Sequence, residues 1–254
     1  LMELAKTKCL VFDVKFVNIQ NTLGYESYIS ENKCRGLKGA VLANGRVVSA
    51  DELTMTITEI DFQIISKVYK WEMIGLQNVH AFSKGYLPKP IIESILDLYE
   101  KKTTLKGVEG EEVEYLLSKG MLNSVYGMCV TDVVKDNSVY NETWEIEKVN
   151  IDDKITEYNS SANRFLYYAW GIYVTAYARR NLWTGILSVG GDYVYSDTDS
   201  IKCVNFDNHS SYVERYNQTI QNKLELMCEH YNLDKTRLKP KTIEGIEKPL
   251  GVWE

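Results

Sequence analysis

The stretch AVLANGRVVSA, residues 40 to 50, constrains the fold more than any other, because Asn44 and Gly45 stand between two runs of strand-forming residues. Asn-Gly readily takes the left-handed backbone of a two-residue hairpin, so the chain is expected to reverse here into antiparallel strands. The earlier run CLVFDVKFVNI, residues 9 to 19, is rich in Val, Phe and Ile and supplies another strand. A further hairpin is expected at DYVYSDTDSIKC, residues 192 to 203, with Asp197 and Asp199 one residue apart at its tip.

Helical patterns fill the middle of the chain. Thr58 reads as an N-cap, and Ile60, Ile64, Ile65 and Val68 follow at helical spacing. After irregular sequence, Pro88 and Pro90 introduce a helix with Ile91, Ile95, Leu98 and Tyr99 on one face, closing in a Lys-rich stretch that suits a helix C-terminus. A third helix is expected from about 111 to 127, a polar, β-leaning insertion from 131 to 161, and a long helix over 162 to 183. Val213, Tyr216, Ile220, Leu224 and Met227 mark the last long helix, after which residues 242 to 254 return to strand and turn. No internal repeat or low-complexity segment is found. Sheet at both ends with helices between and beside it places the chain in the α+β class.

The 254 residues are 44% hydrophobic and 25% charged, enough for a sizeable core. No apolar run approaches the roughly 20 residues of a membrane span, and LMELAKTKCLVFDV lacks the features of a signal peptide. Five cysteines, far apart and without CxxC spacing, point to reduced thiols rather than to zinc, so a soluble, cytoplasmic protein is expected. The net charge of -6 argues against a whole-surface grip on nucleic acid. Two local basic runs remain: EKKTTLKG, with Lys101, Lys102 and Lys106, and LDKTRLKPKT, with Lys235, Arg237, Lys239 and Lys241.

Two groups of residues carry candidate chemistry. Lys119, Asn123 and Tyr126 fall at i, i+4 and i+7 of the third helix and share a face, followed by Gly127. An ammonium there can neutralise a triphosphate, a phenol can pack on a sugar or base, and a missing side chain admits a ligand. The same face could equally be a solvated helix surface ended by a glycine cap. Asp197 and Asp199 are either turn residues that bond their own backbone or a pair of hard oxygen ligands.

Taken together, KGMLNSVYG at 119 to 127 and YSDTDS at 195 to 200 resemble two signature motifs of the family B DNA polymerases, above all the protein-primed type of bacteriophages and related elements. At roughly 5% usage per residue, KxxxNSxYG alone arises by chance in about one such chain in ten thousand. TAYAR, Thr175 to Arg179, resembles the pattern that holds the primer terminus, and PLGVWE resembles a segment following the palm helix. The resemblance runs over essentially the whole chain and implies an antiparallel palm sheet with packed helices and a helical fingers segment. Residues 1–57 would be partial palm strands, 58–107 a helical insertion like the first terminal-protein region, and 108–130 the fingers helix. Residues 131–162 would resemble the second terminal-protein region, and 163–254 the palm with the DTDS hairpin.

By the same resemblance the activity would be template-directed DNA synthesis, the transfer of a deoxynucleotide to a primer 3′-hydroxyl by a two-metal mechanism. Asp199 would bind two magnesium ions directly with Asp197 as a close neighbour, and Lys119 would contact the triphosphate, helped by Lys102 and Lys106. Asn123, Tyr126 and Gly127 would complete the nucleotide site, and Thr175, Arg179 and Tyr195 would contact DNA. Primer–template DNA, deoxynucleoside triphosphates and a terminal primer protein are the implied partners, with no membrane. The first catalytic motif of the family, DxxSLYP, is missing. Asp13 in FDVKFVN is its nearest counterpart and reads as a strand residue. The chain therefore reads as the greater part of a palm and fingers from a longer polymerase, lacking its thumb and exonuclease. The alternative is a noncatalytic module descended from a polymerase that keeps DNA or primer-protein contacts.

Overall fold

The computed structural model describes residues 2–162, 164, 165 and 167–254. Its elements run in the order α1 (Met2–Thr7), β1 (Lys8–Asn21), β2 (Arg35–Lys38), β3 (Val41–Ala43), β4 (Arg46–Thr58), α2 (Glu59–Val68), β5 (Tyr69–Lys70) and β6 (Met73–Ser83). There follow α3 (Lys89–Thr104), α4 (Glu112–Cys129), β7 (Asn137–Asn141), β8 (Thr143–Glu147), α5 (Ile151–Ser160), α6 (Tyr168–Val189), β9 (Tyr193–Asp197), β10 (Ser200–Cys203) and α7 (Ser210–Tyr231). Two compact units emerge: one comprises Leu1–Ile92, Tyr173–Pro240 and Lys248–Glu254, the other Glu93–Ile172 and Lys241–Glu247.

The first unit is built on an antiparallel sheet in which β1 lies between β4 and β6, with β2 and β3 on the far side of β4. Asn44 and Gly45 turn β3 into β4 with φ of 47° and 69°, as their residue types require. Leu10, Phe12, Val14 and Phe16 alternate onto the inner face of β1, and Leu53, Met55 and Ile57 do the same on β4. α2 covers that face with Ile64, Ile65 and Val68, and α6 contributes Trp183 and Ile186. Each fully buried side chain of this kind contributes roughly 1.5–3 kcal/mol of hydrophobic stabilisation.

Thr58 caps α2 as its residue type predicts: its hydroxyl accepts from the Asp61 N–H while the Asp61 carboxylate accepts from the Thr58 N–H. Such a reciprocal cap contributes about 1 kcal/mol. The irregular stretch expected after this helix is instead an eleven-residue edge strand, β6, registered along β1. Its residues are exposed, so no apolar alternation advertised it.

The second unit holds most of α3, α4, the β7–β8 hairpin and α5. Lys101 of α3 pairs with Glu114 of α4 at 2.9 Å. The insertion expected to be strand-like is a hairpin followed by a helix, because Asn150 caps the N–H groups of Asp152 and Asp153. The long helix begins at Tyr168 rather than at 162 and runs on to Val189. Asn163 and Leu166, within its expected first turns, lie outside the described residues. Residues 242 to 254 form turns with one bridge, Lys241 to Glu247, rather than a strand.

Candidate functional site

The sequence DYVYSDTDSIKC folds as the expected hairpin, with Ser200 opposite Asp197 and Ile201 opposite Ser196. Thr198, at its tip, has φ of 43°. A β-branched residue is unfavourable in that backbone region, so the turn holds strain of the kind that collects at functional sites. Asp197 and Asp199 are both exposed. Asp197 accepts a hydrogen bond from the Thr198 hydroxyl at 3.0 Å, and among the described residues the Asp199 carboxylate has no recorded donor. Tyr195 is exposed on β9 across from Lys202.

The hairpin is braced from both sides. Gly185 of α6 lets it approach, since a Cβ there would lie 2.5 Å from Cδ1 of Ile201. Tyr193 donates to Glu26 at 3.0 Å and leans on the Tyr25 ring. Asp192, just before β9, accepts from Asn205 at 3.1 Å and pairs with His209 at 2.8 Å, and the His209 hydrogen bond holds its carboxyl below the ordinary value. A cavity of about 420 Å³ lies beside the hairpin, with Asp199, Lys202, Cys203, His209, Tyr212 and Trp253 among its walls. Trp253 is anchored to α7 by two hydrogen bonds between its backbone and the Asn217 amide, at 2.8 and 2.9 Å.

Arg179 and Thr175 lie one turn apart on α6. The Arg179 guanidinium is engaged internally: Nη2 and Nε each reach Asp61 Oδ1 at 2.8 Å, and Nε also donates to the Tyr28 hydroxyl at 3.1 Å. Tyr28 donates to the same carboxylate in turn, and burial, then the Asp61 charge, push its pKa far up. Asp61 stands three residues after the expected N-cap Thr58, and nothing in the sequence singled it out as the partner of Arg179. A second buried carboxylate, Glu59, accepts from the Leu10 N–H at 2.9 Å and from Tyr173, and among the described residues its Oε1 has no partner.

Asp13 is a strand residue, as expected. On β6 two residues oppose Phe12, and this bulge holds Asn78 at φ of 50°. Asn78 thereby donates to Asp13 at 2.8 Å, joined by Arg35 at 2.7 Å and by the Thr56 hydroxyl. Led by the Thr56 hydrogen bond, these donors lower the Asp13 pKa to about 2. Among the described residues no three His, Cys, Asp or Glu side chains come together as a metal site, so Asp13 does not complete a trio with Asp197 and Asp199.

Lys119, Asn123, Tyr126 and Gly127 are all exposed on α4 of the second unit, and among the described residues, apart from the helix's own adjacent backbone, nothing lies within 4 Å of a Cβ built at Gly127. Lys106 is exposed beyond α3, whereas Lys102 folds its ammonium over the Tyr99 ring at 5.7 Å. The nucleotide candidates therefore belong to one unit, and the hairpin carboxylates with Thr175, Arg179 and Tyr195 to the other. The basic run near residue 235 is largely neutralised, Lys235 by Glu229 at 2.6 Å and Lys241 by Glu247 at 3.7 Å. Among the described residues no helix is long and apolar enough to cross a membrane.

No family model matches the sequence, and no curated protein matches it. Solved structures do. A Phi29 DNA polymerase complexed with primer–template DNA, in a post-translocation binary complex, matches at a TM-score of 0.55 and 18% identity, over 76% of this chain and 31% of that one. The ternary complex with incoming nucleotide gives 0.53 and 19% identity over 76% and 31%. A complex with single-stranded DNA gives 0.52 and 18% over 76% and 30%. The matched region thus spans about a third of the length of those polymerases. Likeness at this identity is one of fold: the chain is built like a segment of Phi29 DNA polymerase.

Proposed function

We propose that this chain is the palm and fingers portion of a template-directed DNA polymerase. The observation that carries the reading is the strained DTDS turn, which holds two exposed carboxylates at the tip of a braced hairpin and leaves Asp199 without a recorded donor. Carboxylate oxygens of this kind suit magnesium. Asp197 and Asp199 would hold the ions, which would share the charge developing on the transferred phosphorus. A further oxygen ligand must join them, because two carboxylates make an incomplete shell. Lys119 would meet the triphosphate, with Lys106 and Lys102 near it in sequence, while Asn123, Tyr126 and the open Gly127 would receive sugar and base. Thr175, Tyr195 and the uncommitted edge of Arg179 would contact primer–template DNA.

The locked state of Asp13 favours a second reading, a nucleic-acid-binding or primer-protein-binding module without chemistry. Manganese separates the two. On the polymerase reading, Mn²⁺ added to the chain broadens the amide resonances of residues 197–200 first, and D197N/D199N abolishes the effect. Uniform broadening over the acidic surface rejects it. Lys119→Ala should weaken photo-crosslinking of a deoxynucleoside triphosphate by ten- to a hundredfold, the effect of losing one charge-assisted contact of about 1.5–3 kcal/mol. Unchanged crosslinking would remove Lys119 from the site.

A further inference from the structure

A groove of about 320 Å³ runs between α6 and α7 in the first unit; no residue of the DTDS hairpin lines it, and Tyr212 is shared with the cavity beside that hairpin. Its walls carry three cations, Arg180, Arg215 and Lys223, and no carboxylate. Among the described residues none of the three takes part in a recorded ion pair, although the chain as a whole is acidic, with a net charge of -6. Uncompensated positive charge in a concave, acidic setting attracts anions.

The arrangement narrows the kind of anion. Arg215, Thr219 and Lys223 recur every four residues and so form a stripe along α7, spanning about 12 Å at 1.5 Å per residue. Arg180 and Thr184 face it from α6, one turn apart. The stripe is longer than a single phosphate group. The Thr184 and Thr219 hydroxyls already donate to the Asn181 and Arg215 carbonyls, so the guanidinium forks and the Lys223 ammonium are the donors left to meet phosphodiester oxygens. Aromatic rings accompany the cations: Tyr212 and Tyr216 line the groove, Tyr212 donates to Thr184 at 3.0 Å, and the Arg180 guanidinium lies 4.5 Å from the ring centre of Tyr177, beside the groove on α6. Rings beside cations suit a single-strand platform.

We infer that the α6–α7 groove binds the phosphodiester backbone of single-stranded nucleic acid, as a contact surface separate from the DTDS hairpin. The inference stands on charge and spacing and does not require the polymerase reading to hold.

Fluorescence anisotropy of the whole chain with a labelled oligothymidylate, in the absence of divalent ions, tests it. R180Q/R215Q/K223Q should weaken binding by more than tenfold and reduce the salt slope by about 2, the loss expected for three phosphate contacts on a single strand. The conservative R180K/R215K/K223R should keep the slope, and circular dichroism should show both variants folded. D197N/D199N should bind the oligonucleotide like the parent even if its metal effect is gone, which separates this inference from the proposed function. An unchanged slope in the glutamine variant overturns the assignment. So does displacement by inorganic pyrophosphate at the same phosphate concentration, which would mark a site for a small anion, or equal binding of a polyglutamate peptide, which would mark one for an acidic protein segment.

Discussion

The carboxylates at the central sheet and its covering helix, Asp13 on β1 and Asp61 on α2, and those of the DTDS hairpin are chemically identical and physically opposite. Asp13 and Asp61 each accept several donors from neighbouring strands and helices. Among the described residues Asp197 has one side-chain donor, the adjacent threonine, and Asp199 has none. A carboxylate whose lone pairs are filled by its own protein has little to offer a cation, whereas one left in solvent on a rigid turn has nearly everything to offer. The sheet acids therefore read as mortar and the hairpin acids as ligands.

The sharpest way to break this contrast is at Asp61. Asp61→Ala should lower stability by about 3 kcal/mol, because it strands the Arg179 guanidinium and the Tyr28 hydroxyl and removes half of the α2 cap. Urea denaturation followed by tryptophan fluorescence would register it, since Trp183 packs on Tyr28 with ring centres 5.3 Å apart. A loss under 1 kcal/mol would mean that the cluster is not mortar at all.

Asp13 offers a smaller and pH-dependent effect. Its pKa falls from 3.8 unfolded to about 2 folded. The folded state thus binds this proton more weakly, and the stabilisation is present above about pH 4 and disappears as the pH falls through about 2. The site is partly open to solvent, which limits the contribution to of order 1 kcal/mol. Asp13→Asn should cost that amount at pH 7 and progressively less as the pH falls through about 2. A cost that persists in acid would assign the effect to packing rather than to charge.

Local rules made much of this architecture legible. Asn44 and Gly45 announced a hairpin, Thr58 a helix start, and the DTDS stretch a second hairpin, because each depends on residues within a few positions. β6 escaped notice because an exposed edge strand needs no apolar alternation, and α5 because its capping residue, Asn150, sat in a polar segment. Charge was legible only as composition along the chain. The run from Lys235 to Lys241 looked basic, yet acids just outside it, Glu229 and Glu247, each six residues from its partner, neutralise much of it. The groove of Arg180, Arg215 and Lys223 was invisible because α6 and α7 contribute residues more than 30 positions apart.

The smallest expected change in stability is the most diagnostic, at Asp199. Its side chain is exposed and receives no recorded hydrogen bond, so Asp199→Asn should leave the unfolding free energy within about 0.5 kcal/mol of the parent. Two neighbouring carboxylates repel, and removing one charge can even favour the fold slightly. Divalent cations reverse the comparison: ions that bind only the folded turn stabilise it by mass action, so the parent's melting temperature should rise with Mn²⁺ while that of the variant should not. Asp13→Asn should still respond to Mn²⁺, because its carboxylate is already occupied by Arg35, Thr56 and Asn78. Should Asp199→Asn respond to the metal as the parent does, the hairpin acids would be ordinary turn residues, and the contrast between mortar and ligand would fail where it matters most.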